Sequence, residues 1–377
     1  FDWSQWGGGW PMIAAGMGNP LEPGTYYIGV QDSGSTSSYT LQSRGIGETN
    51  YAIQVRTLAF TRVASNVLAA GKADYYRVEV PSNAPNWKLK LSADAGEVLL
   101  KVQKDFLPNS VGDGLYNNQG GQLMKKAGDE QWVLLPINGE SNVVAGTYYV
   151  LVESQGQNVT GCLGSGNAGY TLTSGQEPMT VLPNTLSYGN DLLVTNHQGD
   201  GEVKFYQFNV PVGIASIEVR LENRVGNPTM RVAPGSVSAA VGGYGNYGGA
   251  RAPWTGAELV TIPNPAGIYS VSLYADLVGV DYPDAEYVLR VRAVPPTLVD
   301  FDGGSATVAD QAAGTWKFFR VDVPADAKGW DFRLVNATNG NAWFVIARDS
   351  LPLNFNSVWT CCWYYPWQFG YWPSGYQ

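Results

Sequence analysis

Apolar and polar positions alternate with period two through much of the chain, and the alternation recurs in three matched blocks. These are ADYYRVEVPSNAPNWKLKLSA from Ala73, VKFYQFNVPVGIASIEVRLEN from Val203 and WKFFRVDVPADAKGWDFRLVN from Trp316. Each reads as a strand with aromatic residues that closes on Val-Pro, a short turn, and a second strand. In the first block Trp87, Leu89 and Leu91 share one face and Lys88 and Lys90 the other. Ile217, Val219 and Leu221 repeat the apolar face in the second block, as do Phe332 and Leu334 in the third. Such alternation marks strands with one buried face.

A second pattern also occurs three times: PGTYYIGVQDSGSTSSYTLQS from Pro23, AGTYYVLVESQG to YTLTS from Ala145, and AGIYSVSLYADL to YVLRVRAV from Ala266. It predicts a turn glycine, a strand, a polar hairpin loop and a closing strand. Tyr39 and Leu41, Tyr170 and Leu172, and Tyr287 and Leu289 are its matched inward positions. With the first pattern as a leading half and the second as a trailing half, the chain begins on an orphan trailing half. It ends on an orphan leading half.

The Val-Pro prolines Pro81, Pro211 and Pro324 lie 130 and 113 residues apart. The path from Pro324 through Gln377 and on from Phe1 to Pro81 is 134 residues. Three similar intervals close the circle, so the frame cuts inside a third domain. Self-similarity at a fixed period is the mark of a repeat architecture. The chain starts at Phe1, not Met, and is expected to be processed or cut from something longer. Lead-in strands precede each leading half, in YAIQVRTLAFTRVAS, EPMTVLPNTLSYGN and VPPTLVDFDGGSA. Pro178, Pro183, Pro295 and Pro296 at these joins predict short, stiff connections. The expected fold is all-β, a tandem of jelly-roll-like β-sandwich domains. Residues 48–175 and 176–294 form two intact sandwiches. Residues 1–47 and 295–377 are the trailing and leading halves of a third.

The strands DYYRVEVP and FYQFNVP and the ending AGTYYVLVES to YTLTS resemble the bacterial pre-peptidase C-terminal domain, and the resemblance covers nearly the whole chain. It implies a small jelly-roll sandwich of secreted and cell-surface proteins with no catalytic constellation. Members of that family often trail secreted proteases or form arrays in large surface proteins. Some bind matrix polymers, and some use calcium near the lead-in strand. The long loops between halves and the tryptophan cluster here depart from the compact family pattern.

Composition narrows the function. The 46 Gly and 22 Pro, with only 15% charged residues, suit an extracellular β-rich protein. A net charge of −9 opposes nucleic acid as a partner, and no apolar run is long enough for a membrane span. His197 is the one histidine, which excludes paired-histidine metal sites. No nucleophile–base–acid set can be assembled around it, so no enzyme is expected.

Acidic residues Asp281, Asp284 and Glu286, and Asp300 and Asp302, would suit calcium, but neither group has EF-hand or RTX spacing. Asp191 is read as solvated in the same way. No cofactor is expected, with calcium the one ion these loops could take. The glycine runs near Gly7 and Gly242 lack a following helix and are not phosphate loops. The sequons at Asn158 and Asn336 carry little meaning in a bacterial-looking protein. Cys162, Cys361 and Cys362 leave open an adjacent-pair disulfide, a bridge to Cys162, or free thiols. At least one of Cys361 and Cys362 is expected to be oxidised.

Seven of the 13 tryptophans flank the cut: Trp359, Trp363, Trp367, Trp372, Trp3, Trp6 and Trp10. They suit a contact surface between units, since aromatics concentrate at interface hot spots. Self-packing on their own sandwich and a sugar-stacking platform are the other readings. Trp316, Phe318, Val321, Val323, Phe332, Leu334, Phe344 and Ile346 are expected to form the inner face of the orphan leading half. Tyr26, Ile28, Val30, Tyr39 and Leu41 are the matching positions of the orphan trailing half.

The expected role is a structural subunit of an extracellular bacterial fibre or surface layer, or a repeat of a giant surface protein. Its partners would be identical units, head to tail, each completing the split sandwich of the next. Two intact domains in series separate the halves, so they would meet within one chain only if it curled into a ring. The alternative is a carbohydrate- or polymer-binding C-terminal array of a secreted hydrolase, holding an extracellular polymer through the tryptophan-rich loops.

Overall fold

The computed structural model describes residues 21–31, 34, 36, 38–108, 122–124, 130–136, 140–160, 163–199, 202–226, 228–235, 250–251, 258–275, 284–311, 315–338, 342 and 344–352. The architecture is all-β, with no helix among the described residues.

The first sandwich uses β1 (Ile46–Gly47), β2 (Ile53–Thr57), β3 (Arg62–Ala69), β4 (Ala73–Val80), β5 (Trp87–Ala95) and β6 (Glu97–Lys104). It continues through β7 (Gln122–Met124), β8 (Glu130–Leu134), β9 (Gly146–Thr160), β10 (Leu163–Ser165) and β11 (Asn167–Gly175). One sheet runs β1-β2-β4-β9-β6-β7 with β10 on β9, and the other runs β3-β11-β5-β8. β5 buries Trp87, Leu89 and Leu91, with Lys88 and Lys90 alternating on the other face. Pro81 follows β4 directly and cannot donate to a further ladder bond. The turn between β5 and β6 needs Gly96, at φ 74°. A Cβ there would lie 2.6 Å from the carbonyl oxygen of Gly156.

The second sandwich repeats the plan with β12 (Met179–Val181), β13 (Leu192–Gln198), β14 (Val203–Val210), β15 (Ser216–Val225) and β16 (Pro228–Pro234). β17 (Ala250–Arg251), β18 (Glu258–Pro263), β19 (Gly267–Ala275) and β20 (Ala285–Val294) complete it. Its sheets run β12-β14-β19-β16-β17 and β13-β20-β15-β18. Each sandwich has its own core. Trp87, Val150 and Tyr170 lie in the first and Val219, Val271 and Tyr287 in the second.

A chain of hydroxyls ties the two sheets of each sandwich. Tyr76 on β4 donates to Tyr170 on β11 at 2.6 Å, and Tyr170 donates to the buried Asp74 at 2.6 Å. In the second sandwich Tyr206 and Tyr287 are 2.9 Å apart, and Tyr287 donates to Gln198 at 2.5 Å. These bonds satisfy polar groups that burial would otherwise penalise.

Two expectations need correcting. The trailing half is not a hairpin. β9 is the middle partner of β4 and β6 in one sheet, while β11 is the middle partner of β3 and β5 in the other. β19 and β20 divide between sheets in the same way. The lead-in is also two strands where one was expected. β2 and β12 pair in parallel with β4 and β14, whereas β3 and β13 cross to the opposite sheet. Alternation reports which face of a strand is buried and not which strand lies beside it.

Candidate interaction surface

The third leading half opens as the intact ones do. β21 (Thr297–Leu298) pairs in parallel with β22 (Phe319–Arg320), Thr297 opposite Phe319. The pairs Arg56 with Tyr76 and Thr180 with Tyr206 occupy the matching register. Just beyond, the amides of Leu58, Leu182 and Val299 donate to the carbonyls of Arg77, Gln207 and Arg320.

Further local features repeat. The Ala327 amide donates to the Pro324 carbonyl at 3.2 Å, as Ala84 does to Pro81. Asp349 takes φ 66° where Asp105 takes φ 70°, and Asn336 takes φ 55° where Asn223 takes φ 51°. Trp330, six residues after the Val-Pro proline as Trp87 is, lies 6.2 Å from Phe301, as Trp87 lies 6.5 Å from Phe60. Lys317 reaches Glu218 at 3.4 Å, and the Asn264 side-chain amide donates to the Leu351 carbonyl at 2.8 Å.

The orphan trailing half carries the same signature. Tyr26 donates its hydroxyl to the Glu22 carbonyl at 2.8 Å, as Tyr148 does to the Val144 carbonyl at 2.9 Å. Apart from β1, residues 21–47 contain no strand among those described.

Burial separates the third repeat from the other two. Ile28 is 67% exposed where its counterpart Val150 is fully buried, and Tyr39 is 66% exposed where Tyr170 is fully buried. Leu334 is 46% exposed where Leu91 is fully buried. Tyr26, Val30, Leu41, Phe344 and Ile346 are likewise exposed, and Phe332 is half-buried.

The residues expected on the inner face align with two different sets of positions in the first sandwich. Val321, Val323, Phe332, Leu334, Phe344 and Ile346 match core positions. Trp316 and Phe318 have the opposite parity. Their counterparts Ala73 and Tyr75 pack in a separate cluster with Leu99 and Leu151. Trp316 and Phe318 stack on each other at 5.8 Å. Phe319 is the missing inner residue, and the matched position of Tyr76 identifies it. Trp330 was also legible, since it follows Pro324 by the same interval as Trp87 follows Pro81, whereas Phe301 does not keep the spacing of Phe60.

Other predicted residues are dispersed. Asp191 and Glu222 both pair with Arg290, at 2.8 and 2.9 Å. This pairing raises the Arg290 pKa, through the hydrogen bond to Asp191 first. His197 faces Asp284 at 3.2 Å in an exposed pair. Asp300 and Asp302 belong to the turn after β21. Among the described residues no cluster of three or more His, Cys, Asp or Glu is placed to hold a metal ion. No helix among them is long and apolar enough to cross a membrane. Cys162, Cys361 and Cys362 and the tryptophans at 3, 6, 10, 359, 363, 367 and 372 lie outside the described residues.

No family model matches the chain, and no curated protein matches it. Among solved structures it is similar to the pre-peptidase C-terminal domain of collagenase from Bacillus anthracis. That match is 14% identical, covers 33% of this chain and 99% of that one, and has a TM-score of 0.23. The CUB1-EGF-CUB2 domain of human MASP-1/3 is 11% identical over 61% of this chain and 99% of that one, with a TM-score of 0.20. Tripeptidyl peptidase 2 is 9% identical over 64% of this chain and 27% of that one, also with a TM-score of 0.20.

Proposed function

We propose that the chain is a structural unit of an extracellular fibre or surface layer, or one repeat of a giant surface protein. Neighbouring units complete each other's third sandwich. The observation that carries this reading is the exposure, in both orphan halves, of side chains whose counterparts are buried in the two intact sandwiches. Burying Tyr26, Ile28, Val30, Tyr39 and Leu41 at about 1.5–3 kcal/mol each supplies on the order of 10 kcal/mol. Backbone ladders add to this, as in other strand-addition contacts.

Association opposes that gain by about 4–15 kcal/mol. The balance favours units whose halves are held at high local concentration, by chain continuity or by a crowded surface. A contact joining two different surfaces does not close on itself unless geometry makes a ring, so it propagates as a thread. In this reading the partners are identical units, and the chain is secreted, non-catalytic and free of a resident cofactor. The low charge content and the presence of a single histidine support that part.

The test is sedimentation and electron microscopy of the purified chain over a concentration series. Threads with a regular repeat are expected, unchanged by a chelator. A well-behaved monomer at all concentrations, with residues 21–47 open to protease, would overturn the reading. A large fall in melting temperature with EDTA would overturn the cofactor-free part alone.

A further inference from the structure

The geometry points to one register for the junction: residues 24–30 of one unit enter the middle of one sheet of the next, and residues 39–43 enter the middle of the other. The inference rests on the proposed head-to-tail completion and specifies its site. It follows from the positions of β9 and β11 in the first sandwich and of β19 and β20 in the second. In both sandwiches the trailing half supplies a central strand to each sheet.

Three landmarks fix the alignment. Gly24, Tyr26, Ile28 and Val30 match Gly146, Tyr148, Val150 and Val152. Phe319, Val321 and Val323 match Tyr76, Val78 and Val80, each counted from the Val-Pro proline. Phe344, Ile346 and Arg348 match Leu100, Val102 and Lys104, counted from the left-handed aspartates Asp349 and Asp105.

In the first sandwich Tyr76 stands opposite Val150, Val78 opposite Tyr148 and Val80 opposite Gly146. On the other flank Val102 stands opposite Val150 and Leu100 opposite Val152. The second sandwich keeps this flank, with Val232 opposite Val271 and Met230 opposite Leu273. Transferred to the junction, Ile28 lies between Phe319 and Ile346. Tyr26 lies between Val321 and Arg348.

The second sheet transfers the same way. Leu172 stands opposite Leu91 and Leu289 opposite Leu221, which sets Leu41 opposite Leu334. Ser174 opposite Leu89 and Val291 opposite Val219 set Ser43 opposite Phe332.

Side-chain packing agrees with this register. Trp87 meets Phe60 from its own leading half and the ring of Tyr148, 5.1 Å away, from the trailing half. Trp330 already has Phe301. It also lies 5.3 Å from Phe332, and the inferred register would bring it the trailing-half ring of Tyr26. A slip of one residue would turn every inward side chain of the entering strand to the opposite face, so the register is strongly specified.

The test uses outward positions, leaving the buried face intact. Tyr149 stands opposite Arg77, so Tyr27 of one unit should stand opposite Arg320 of the next. Full-length Tyr27→Cys is mixed under mild oxidant with isotope-labelled full-length Arg320→Cys, and separately with labelled Asp322→Cys. Linked peptides are mapped by mass spectrometry, which separates the new bonds from any made by Cys162, Cys361 or Cys362. Paired positions in a ladder fall within disulfide reach, and positions two residues further along do not.

The expected result is a light–heavy bond between positions 27 and 320 at least tenfold more abundant than one between 27 and 322. Threads that form with the 27–322 bond dominant would overturn the register and leave head-to-tail completion standing. Absence of both bonds and of threads would overturn the completion itself. In a Tyr27→Cys/Arg320→Cys double variant, a 27–320 bond confined within single chains would show a closed unit and overturn both.

Discussion

Trp87 and Trp330 stand at the same place in two copies of one sequence pattern, yet their surroundings differ. Trp87 is buried against Phe60, Trp132 and Tyr148. Trp330 keeps the Phe301 contact and remains 36% exposed. The turn, the lead-in pairing and the left-handed aspartate are common to both copies. Local sequence therefore sets the local geometry of a leading half, and in the proposed reading its sheets wait for the trailing half of a neighbouring unit.

The sharpest way to break this comparison is a buried charge at matched positions. Val150→Asp places a carboxylate in a closed core and should unfold the first sandwich, seen as loss of its cooperative transition in calorimetry. Ile28→Asp should leave both intact sandwiches melting as before and abolish thread formation. If Ile28→Asp lowered the stability of the first sandwich as much as Val150→Asp, residue 28 would belong to that core and the comparison would fail.

Trp→Ala at the two matched positions gives the next effect in size. Trp87→Ala should cost about 3–5 kcal/mol of the first sandwich's stability. Trp330→Ala should change neither transition by more than about 0.5 kcal/mol, as for a surface site, while raising the threshold concentration for assembly about tenfold or more. Denaturant titration and sedimentation measure the two outcomes separately.

Alkaline pH acts on the intact sandwiches through their buried phenols. Desolvation first, then the Asp105 charge, pushes the pKa of Tyr148 up to about 12 from an ordinary 10.0. Desolvation also raises Tyr75 and Tyr170, with the hydrogen bond to Asp74 adding to the rise at Tyr170. These folded-state values lie above the unfolded ones, so the stability from keeping the phenols neutral is whole below about pH 10. It is lost as the pH rises toward and through the folded value. Tyrosinate absorbance followed with circular dichroism should show a cooperative rise above pH 10 that coincides with unfolding. A rise that preceded unfolding would show the phenols to be open to solvent.

The sequence made the all-β class and the inward positions of β4, β5, β14 and β15 legible, because period two survives in those strands. Sheet partnership was not legible. Trp87 and Leu89 alternate with lysines whichever strand lies beside them, and DYYRVEVP reads the same in a hairpin as across two sheets. The parity slip at Trp316 and Phe318 has a related cause. An aromatic pair offers one residue to each face, and only comparison with Tyr75 and Tyr76 tells which is which. From the sequence Asp191 reads as a solvated carboxylate, whereas it pairs with Arg290, and Asp284 of the acidic loop pairs with His197. Spacing along the chain does not report which cation lies across the sheet.

The smallest expected effect lies in the hydroxyl chain. In the intact sandwiches Tyr76 and Tyr206 each supply a hydroxyl to the tyrosine of the closing strand. The third repeat has Phe319 at that place, and Tyr39 is the closing-strand tyrosine. A junction with the inferred register thus lacks the first link of the chain. Tyr76→Phe removes that link from a buried network and should cost about 1 kcal/mol of the first sandwich's stability, since a typical intramolecular hydrogen bond contributes about that net amount. Phe319→Tyr adds a hydroxyl where a partner hydroxyl should arrive. It should strengthen the junction by a similar amount, lowering the assembly threshold about fivefold, with the two sandwich transitions unchanged. The sign is the informative part. If Phe319→Tyr raised the threshold, its hydroxyl would be buried without the Tyr39 oxygen beside it, and residue 39 would have to enter the sheet at another position.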